Sequence, residues 1–214
     1  GELKLRLPYF LAPRTSFTQT LFARNEHEIG PSPGGVEAQP AFDLFSFGTE
    51  SRVEHRFTDI LTGAVGLNFS RNDFSNVDTT ALTALEQELA EDNTLFVQFV
   101  ELQRNTSDSI LNPSRGTVLR GRVEHSTTAL ISDVSFVKLL LEARHYLPLS
   151  QRVLFATRLK LGGIEPYGDS TDVPFNVRFF AGGPGSVRGF ALNRLGPQNQ
   201  DGDPIGGMSL IEGS

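Results

Sequence analysis

The sequence predicts an all-β chain, part of a transmembrane antiparallel β-barrel. Three observations carry that expectation. Apolar and charged residues alternate with a period of two, and in most stretches the charges fall on the even-numbered face. Several alternating stretches run to about ten to thirteen residues, the length a tilted membrane strand needs. The connections alternate short and long, the layout of a barrel with short periplasmic turns and longer external loops. A soluble sandwich also alternates, but with shorter strands and turns every 8 to 12 residues.

Taken in order, the first element is Gly1 to Leu7, where Leu3, Leu5 and Leu7 oppose Lys4 and Arg6. Thr15 to Arg24 is a weaker strand. In Phe45 to Phe57 the residues Phe45, Phe47, Val53 and Phe57 oppose Glu50, Arg52, Glu54 and Arg56. Leu61, Val65, Leu67 and Phe69 mark a fourth strand. The fifth, Leu95 to Arg104, is poorly phased, because Leu95, Phe96 and Val97 are apolar in a row and Glu101 breaks the pattern. Leu119 and Val123 alternate with Arg120, Arg122 and Glu124. Val137, Leu139, Leu141 and Ala143 alternate with Lys138, Glu142 and Arg144. Val153, Phe155, Leu159 and Leu161 alternate with Arg152, Arg158 and Lys160, which makes eight strands. On the outward face an Arg or Lys at mid-membrane would cost about 2 to 4 kcal/mol, so the charged face is expected to line the lumen.

The short connections are Pro8 to Arg14, Thr58-Asp59 and Pro148 to Gln151, and the long ones Asn25 to Gln39 and Asn72 to Asp92. Asn105 to Arg115 is of medium length on the short side, and Ser126 to Ser132 is short on the long side. Within the second long loop Leu82, Leu85 and Leu89 have helical spacing, with Asp78 or Thr79 as the N-cap, and read as a helix covering the loop.

Composition sets the outer bounds. The chain has 214 residues and a formal charge of -6, which argues against a nucleic-acid partner, since a duplex-binding surface wants a clustered basic excess. It has no cysteine, which leaves no disulfide framework, thiolate metal site or thiol nucleophile. No apolar run approaches the roughly 18 residues of a spanning helix. The chain opens on a strand-like stretch without an initiator methionine and closes in another at Ser214, so it is expected to be a piece of a longer one. Open sheet edges are not tolerated in lipid, and the expectation is therefore about half of a barrel.

The most distinctive segment is Arg178-Phe179-Phe180-Ala181-Gly182-Gly183-Pro184-Gly185-Ser186-Val187-Arg188-Gly189-Phe190, followed by Leu195-Gly196-Pro197 and by Gly206-Gly207. Such glycine density describes a shaped loop in which backbone approaches backbone. A phosphate cradle fails on spacing: after Gly183 and Gly185 the third glycine would fall where Arg188 stands, and no helix pattern follows.

This segment resembles the inward-folded loop of the bacterial surface antigen family, the outer-membrane assembly factors of BamA and TamA type, with an aromatic-x-Gly-Gly run leading into Val/Ile-Arg-Gly-Phe/Tyr. Asn112-Pro113-Ser114-Arg115-Gly116 is similar to that family's turn opening a strand, and Tyr146-Leu147-Pro148-Leu149 to the next turn. The fit is closest to TamA-like members and covers Leu95 to Ser214 well. The resemblance implies a sixteen-stranded barrel preceded by POTRA domains outside this chain. Within it, residues 1–214 would hold strands four to eleven, the signature loop at 164–205, and the start of strand twelve. It also implies insertion of barrel proteins into the outer membrane, or export through it, without nucleotide hydrolysis. The partners would be outer-membrane lipid, unfolded outer-membrane or secreted clients, and a periplasm-spanning or inner-membrane protein reached through the POTRA domains.

The residues carried over are Gly182, Gly183, Val187, Arg188, Gly189 and Phe190, with Arg188 as the lumen anchor pairing with acidic residues on the two strands after the loop. The partner on strand twelve would fall about two positions beyond Ser214; Glu212 has the right parity but is not expected to be it. A two-partner secretion exporter of the same superfamily shares fold and loop. A small closed barrel of eight strands, adhesin or structural, would leave the segment from Gly206 unpaired and the long loop unexplained.

No cofactor, metal or catalytic group is expected. His27, His55, His125 and His145 lack ligand spacing, and the repeated Arg-Val-Glu-His at 52–55 and 122–125 reflects similar strand phasing. Asp201-Gly202-Asp203 lacks the closing glutamate of a calcium loop and reads as a turn. No Ser/His/Asp order or paired carboxylate stands out.

Overall fold

The computed structural model describes residues 1–29, 40–75, 90–150, 152–199 and 204–214. Among these residues nine strands form one antiparallel sheet in chain order: β1 (Glu2–Leu7), β2 (Thr15–Ile29), β3 (Pro40–Arg56), β4 (Leu61–Ser75), β5 (Asn93–Asn105), β6 (Gly116–Ser126), β7 (Phe136–Ser150), β8 (Val153–Pro166) and β9 (Ser209–Gly213). β1 and β9 do not pair with each other among the described residues, so the sheet is open. It is neither a closed eight-stranded barrel nor a pair of stacked sheets. Eight strands precede the long loop and one follows it. The strand β8 continues through Pro166 and β9 begins at Ser209, so the strand ends that flank the loop lie about three residues later than expected. The proposed helix at Leu82, Leu85 and Leu89 and the Asp201-Gly202-Asp203 turn lie outside the described residues.

Register fixes the two faces. Lys4 pairs with Thr20, Thr20 with Glu50 and Glu50 with Asn68, so even-numbered residues share one face from β1 to β4. The parity then inverts for one strand, because Leu61 pairs with Arg104 and Glu101 with Arg122. In β5 the odd residues Leu95, Val97, Phe99 and Glu101 therefore join the even face of their neighbours, while Arg104 joins the opposite face. The expectation that charges follow even numbering fails in β5 for this reason. Even numbering returns in β6 to β9.

One face carries exposed Leu5, Val65, Leu67, Leu102, Leu139 and Leu159. An apolar belt of this extent is what lipid requires. The other face curls. Arg24 of β2 and Lys138 of β7 line the same cavity of about 360 Å³, whereas six flat strands would separate them by roughly 24 Å. Inside the curl, Leu95, Val97, Phe136 and Ile164 pack against Val173 and Val177 of the loop, and Leu44 packs against Phe175. Each such side chain contributes about 1.5 to 3 kcal/mol by leaving water, so the loop is seated on the inner wall. β2, β3 and β4 also run further than alternation suggests, to Ile29, from Pro40 and to Ser75. Sequences such as Asn25-Glu26-His27-Glu28 and Arg71-Asn72-Asp73 are polar at successive positions, so no apolar face marks them.

Three histidines are absorbed by neighbours on the outward face: His55 Nδ1 with Thr15 Oγ1 (2.7 Å), His145 Nδ1 with Thr117 Oγ1 (2.9 Å), and His125 with Gln98 Oε1 (2.7 Å) and the Tyr167 hydroxyl (2.6 Å). At the short-turn end, the Asn112-to-Gly116 turn is pinned by Asp108, whose carboxylate accepts from the Ser114 hydroxyl, the Ser114 amide (2.9 Å) and the Arg115 amide (3.3 Å). The Ser114 bonds hold this carboxyl down at about 2. The folded value lies below the ordinary one, so the turn's stabilisation is present above the usual carboxylate range and lost as pH falls through about 2. The Ser114 amide resonance is expected to hold its position down to pH near 3 and to shift only below it; a midpoint at the ordinary Asp value of about 3.9 would show that the turn does not form as described.

Candidate functional site

The inner wall is an arginine–glutamate lattice centred on β5. Glu101, with a side chain 6% exposed, accepts from Arg52 Nη2 (2.8 Å), Arg120 Nη2 (2.6 Å) and Arg122 Nη1 (3.5 Å). Arg52 and Arg122 each keep a carboxylate of their own strand, Glu54 at 3.1 Å and Glu124 at 2.6 Å, because residues two apart on a strand share a face. The repeated Arg-Val-Glu-His thus grips β5 from both sides. Phe99 lies between the two guanidinium groups, 3.8 Å from Arg122 and 5.8 Å from Arg52. The approach from β3 crosses β4 at Gly66, where a Cβ would lie 2.4 Å from the Phe99 ring. A second node follows on β7, where Glu142 takes Arg144 (2.8 Å) and Arg158 (2.7 Å).

The loop docks on this wall at three levels. Near the long-loop end, amides relay from β3 inward: Ser46 Oγ donates to Asn72 Oδ1 (2.7 Å), Asn72 Nδ2 to Asn93 Oδ1 (3.0 Å), and Asn176 Nδ2 to the same oxygen (3.5 Å). Further along, Phe179 fills the space left by Gly162 on β8, where a Cβ would come within 2.6 Å of its ring. Lys138 Nζ donates to the Val177 carbonyl (2.6 Å) and stands 4.6 Å from the centre of the Phe179 ring. The loop is braced internally by Arg178, 8% exposed, which binds Asp172 (2.7 Å) and the carbonyls of Val173 and Ile205 (both 3.3 Å).

The third level is the glycine-rich tip. Gly182 has φ +108°, and a Cβ there would sit 2.5 Å from the Ala191 carbonyl, so only glycine fits. Gly183 N donates to Phe190 O (3.0 Å), closing the stretch into a ring. Within it Phe190 N donates to Val187 O (3.4 Å), forming a four-residue turn with Arg188 and Gly189 at its centre. Gly189, with φ +100°, takes the position that favours glycine. Arg188 is therefore displayed at the apex, exposed, with no hydrogen bond or ion pair among the described residues.

The structure brings Gly182, Gly183, Val187, Arg188, Gly189 and Phe190 together at this tip, but the side-chain contacts that fasten the tip to the wall run through Gly185 and Ser186. Arg158 Nη1 donates to the Gly185 carbonyl (3.1 Å) and lies 3.7 Å from Glu212 of β9. Ser186 Oγ accepts from Gly182 N (3.1 Å) and donates to Glu212 Oε2 (2.8 Å). Glu212 does face inward, as its parity implied, and its partners are Ser186 and Arg158 rather than Arg188. Sequence reasoning also passed over Arg178 and Glu101. The one available signal was Glu101 itself, a carboxylate that broke an alternation.

A curled open sheet with a lipid-type outer face, a charged inner face and a long loop folded onto that inner face defines part of an outer-membrane β-barrel. Residues 1–214 match the Omp85 superfamily domain over their whole length, and the chain belongs to that superfamily. It is 29% identical over 205 residues to the outer membrane protein assembly factor BamA of Nitratidesulfovibrio vulgaris, covering 93% of this chain and 26% of the relative. It is 36% identical over 111 residues to the mouse sorting and assembly machinery component 50 homolog, covering 51% of this chain and 23% of the relative. The chain thus spans about a quarter of the length of these relatives. In fold it superposes on a crystal structure of BamA from Haemophilus ducreyi lacking POTRA domains 1–3, with TM-score 0.82 and 18% identity, over 99% of this chain and 43% of that one.

Proposed function

We propose that this chain is the membrane-embedded half-barrel of a factor that inserts β-barrel or autotransporter-type clients into the outer membrane, or exports them through it, without nucleotide hydrolysis. The observation that carries the reading is the loop on the inner wall, whose Val187-to-Phe190 turn leaves Arg188 exposed and without a hydrogen bond or ion pair among the described residues. The relatives named for outer-membrane protein assembly and for sorting and assembly machinery support the same reading. In it, the client enters from the periplasm, POTRA domains outside this chain connect it to periplasm-spanning or inner-membrane partners, and the barrel wall supplies strand geometry rather than chemistry.

Arg188 is the lumen anchor in this reading. Its guanidinium reaches acidic residues on strands that follow Ser214 and clamps the loop across the lumen. A bidentate carboxylate pair suits that task, and lysine does not reproduce it. Arg188→Ala in the full-length protein is expected to impair client insertion more than it lowers the amount of folded barrel, with Arg188→Lys little better. The comparison is client assembly per folded barrel in cells depleted of the wild type, and normal client insertion in Arg188→Ala would sink the assignment.

A further inference from the structure

The parity inversion of β5 has a second effect on the outer face: it turns Arg104 toward lipid. Arg104 pairs with Leu61 on one side and Leu119 on the other, and sits one residue from the short-turn end of β5. It is exposed, and no hydrogen bond or ion pair among the described residues engages it. An outward arginine is tolerated near the interface, where the cost of placing it against lipid is far smaller than at mid-membrane.

Beside it the belt is hollow. Gly121 and Ala143 are diagonal neighbours on β6 and β7, and they leave a trough of about 530 Å³ walled by Leu102, Leu119, Leu141 and Leu159, with Arg104 among its lining residues. A Cβ on Gly121 would meet Leu141 Cδ2 at 3.3 Å, so the missing side chain is what opens the floor. One rung nearer the short turns, Thr117 and His145 are joined by a hydrogen bond on the same face, which makes that rim polar.

We infer that this trough is a specific site for one glycerophospholipid of the periplasm-facing leaflet, with an acyl chain lying over Gly121 and Ala143 and the phosphate held by Arg104. The complementarity is of charge and shape together. The headgroup phosphate answers a cation whose side chain no described residue engages, and the acyl chain fills a hollow that a lipid-facing leucine would have closed. A free phosphate would use half of the site, and a neutral diacylglycerol the other half. The inference rests on the membrane barrel and not on the assembly reading.

The test is native mass spectrometry of the purified full-length protein released from detergent with added palmitoyl-oleoyl phosphatidylglycerol or, separately, palmitoyl-oleoyl glycerol. Wild type is expected to retain a single phosphatidylglycerol. Arg104→Gln should lower that retention about tenfold, which corresponds to roughly 1.4 kcal/mol, and leave retention of the phosphate-free lipid unchanged. Ala143→Leu, which fills the trough from a Cβ already pointing outward, should lower retention of both, and Gly121→Leu provides a second filling variant. Heat-shifted gel mobility establishes that each variant folds. Equal phosphatidylglycerol retention by wild type and Arg104→Gln, or by wild type and a folded filling variant, overturns the site. So does retention of several lipids without preference in every form, which would mean a lipid annulus only.

Discussion

Glu101→Ala is expected to lower the stability of the barrel by about 3 kcal/mol, the low end of the roughly 3 to 5 kcal/mol that removal of one partner from a buried ion pair costs. The carboxylate is 6% exposed and serves three arginines on two other strands. Without it Arg52, Arg120 and Arg122 repel one another across β5. The value falls at the low end because Glu54 and Glu124 stay beside Arg52 and Arg122. Glu101→Gln keeps an acceptor but not the charge and should fall between. The measurement is the urea midpoint of the folded, heat-shifted species of the full-length protein in detergent. An unchanged midpoint in Glu101→Ala would mean that the lattice adds nothing to stability.

Arg178→Ala should release the loop while leaving the strands paired. Its guanidinium closes residues 172–178 on themselves through Asp172 and ties them to Ile205 on the returning limb, so the loop loses its internal brace and Asp172 its counter-charge. The side chain is 8% exposed, and a local loss of about 3 to 5 kcal/mol would raise the open fraction of the loop by well over tenfold. Limited proteolysis should cut within residues 167–208 at a rate at least about tenfold above wild type, while the cleaved barrel keeps its heat-shifted mobility. Arg178→Lys restores one contact at most, since an ammonium cannot fork between carboxylate and carbonyls. Wild-type resistance in Arg178→Ala would transfer the anchoring role to the Phe179 seat on Gly162.

Much of the sheet was legible because lipid and water sort residues strictly. In β7 and β8 the alternation of Leu139, Leu141 and Leu159 with Glu142 and Arg158 gives face and register directly. β5 was not legible for a physical reason: its inner side meets the packed loop at Leu95 and Val97 and the Arg52 and Arg122 guanidinium groups at Phe99, so these positions are apolar where a wetted wall would be polar. The strand then reads as apolar on both sides. The candidate site was half legible. The glycines and Arg188 announce a shaped turn, since positive φ and close backbone approach restrict the residues allowed. Arg178, Arg158 and Ser186 carry no such mark, because their partners Asp172, Gly185 and Glu212 are chosen by three-dimensional proximity.

The bond between Ser186 and Glu212 also bears on how β9 finds its place. Strand pairing alone leaves β9 free to settle one residue up or down on β8, and such a slip would send every side chain to the opposite face. Leu210, Ile211 and Gly213 report weakly on that error, being small or apolar in a wall that accepts both. Glu212 does not: displaced by one step it would meet lipid unpaired, and only the observed register delivers it to Ser186 and Arg158. A carboxylate at the seam between loop and strand thereby acts as a proofreading mark for strand addition.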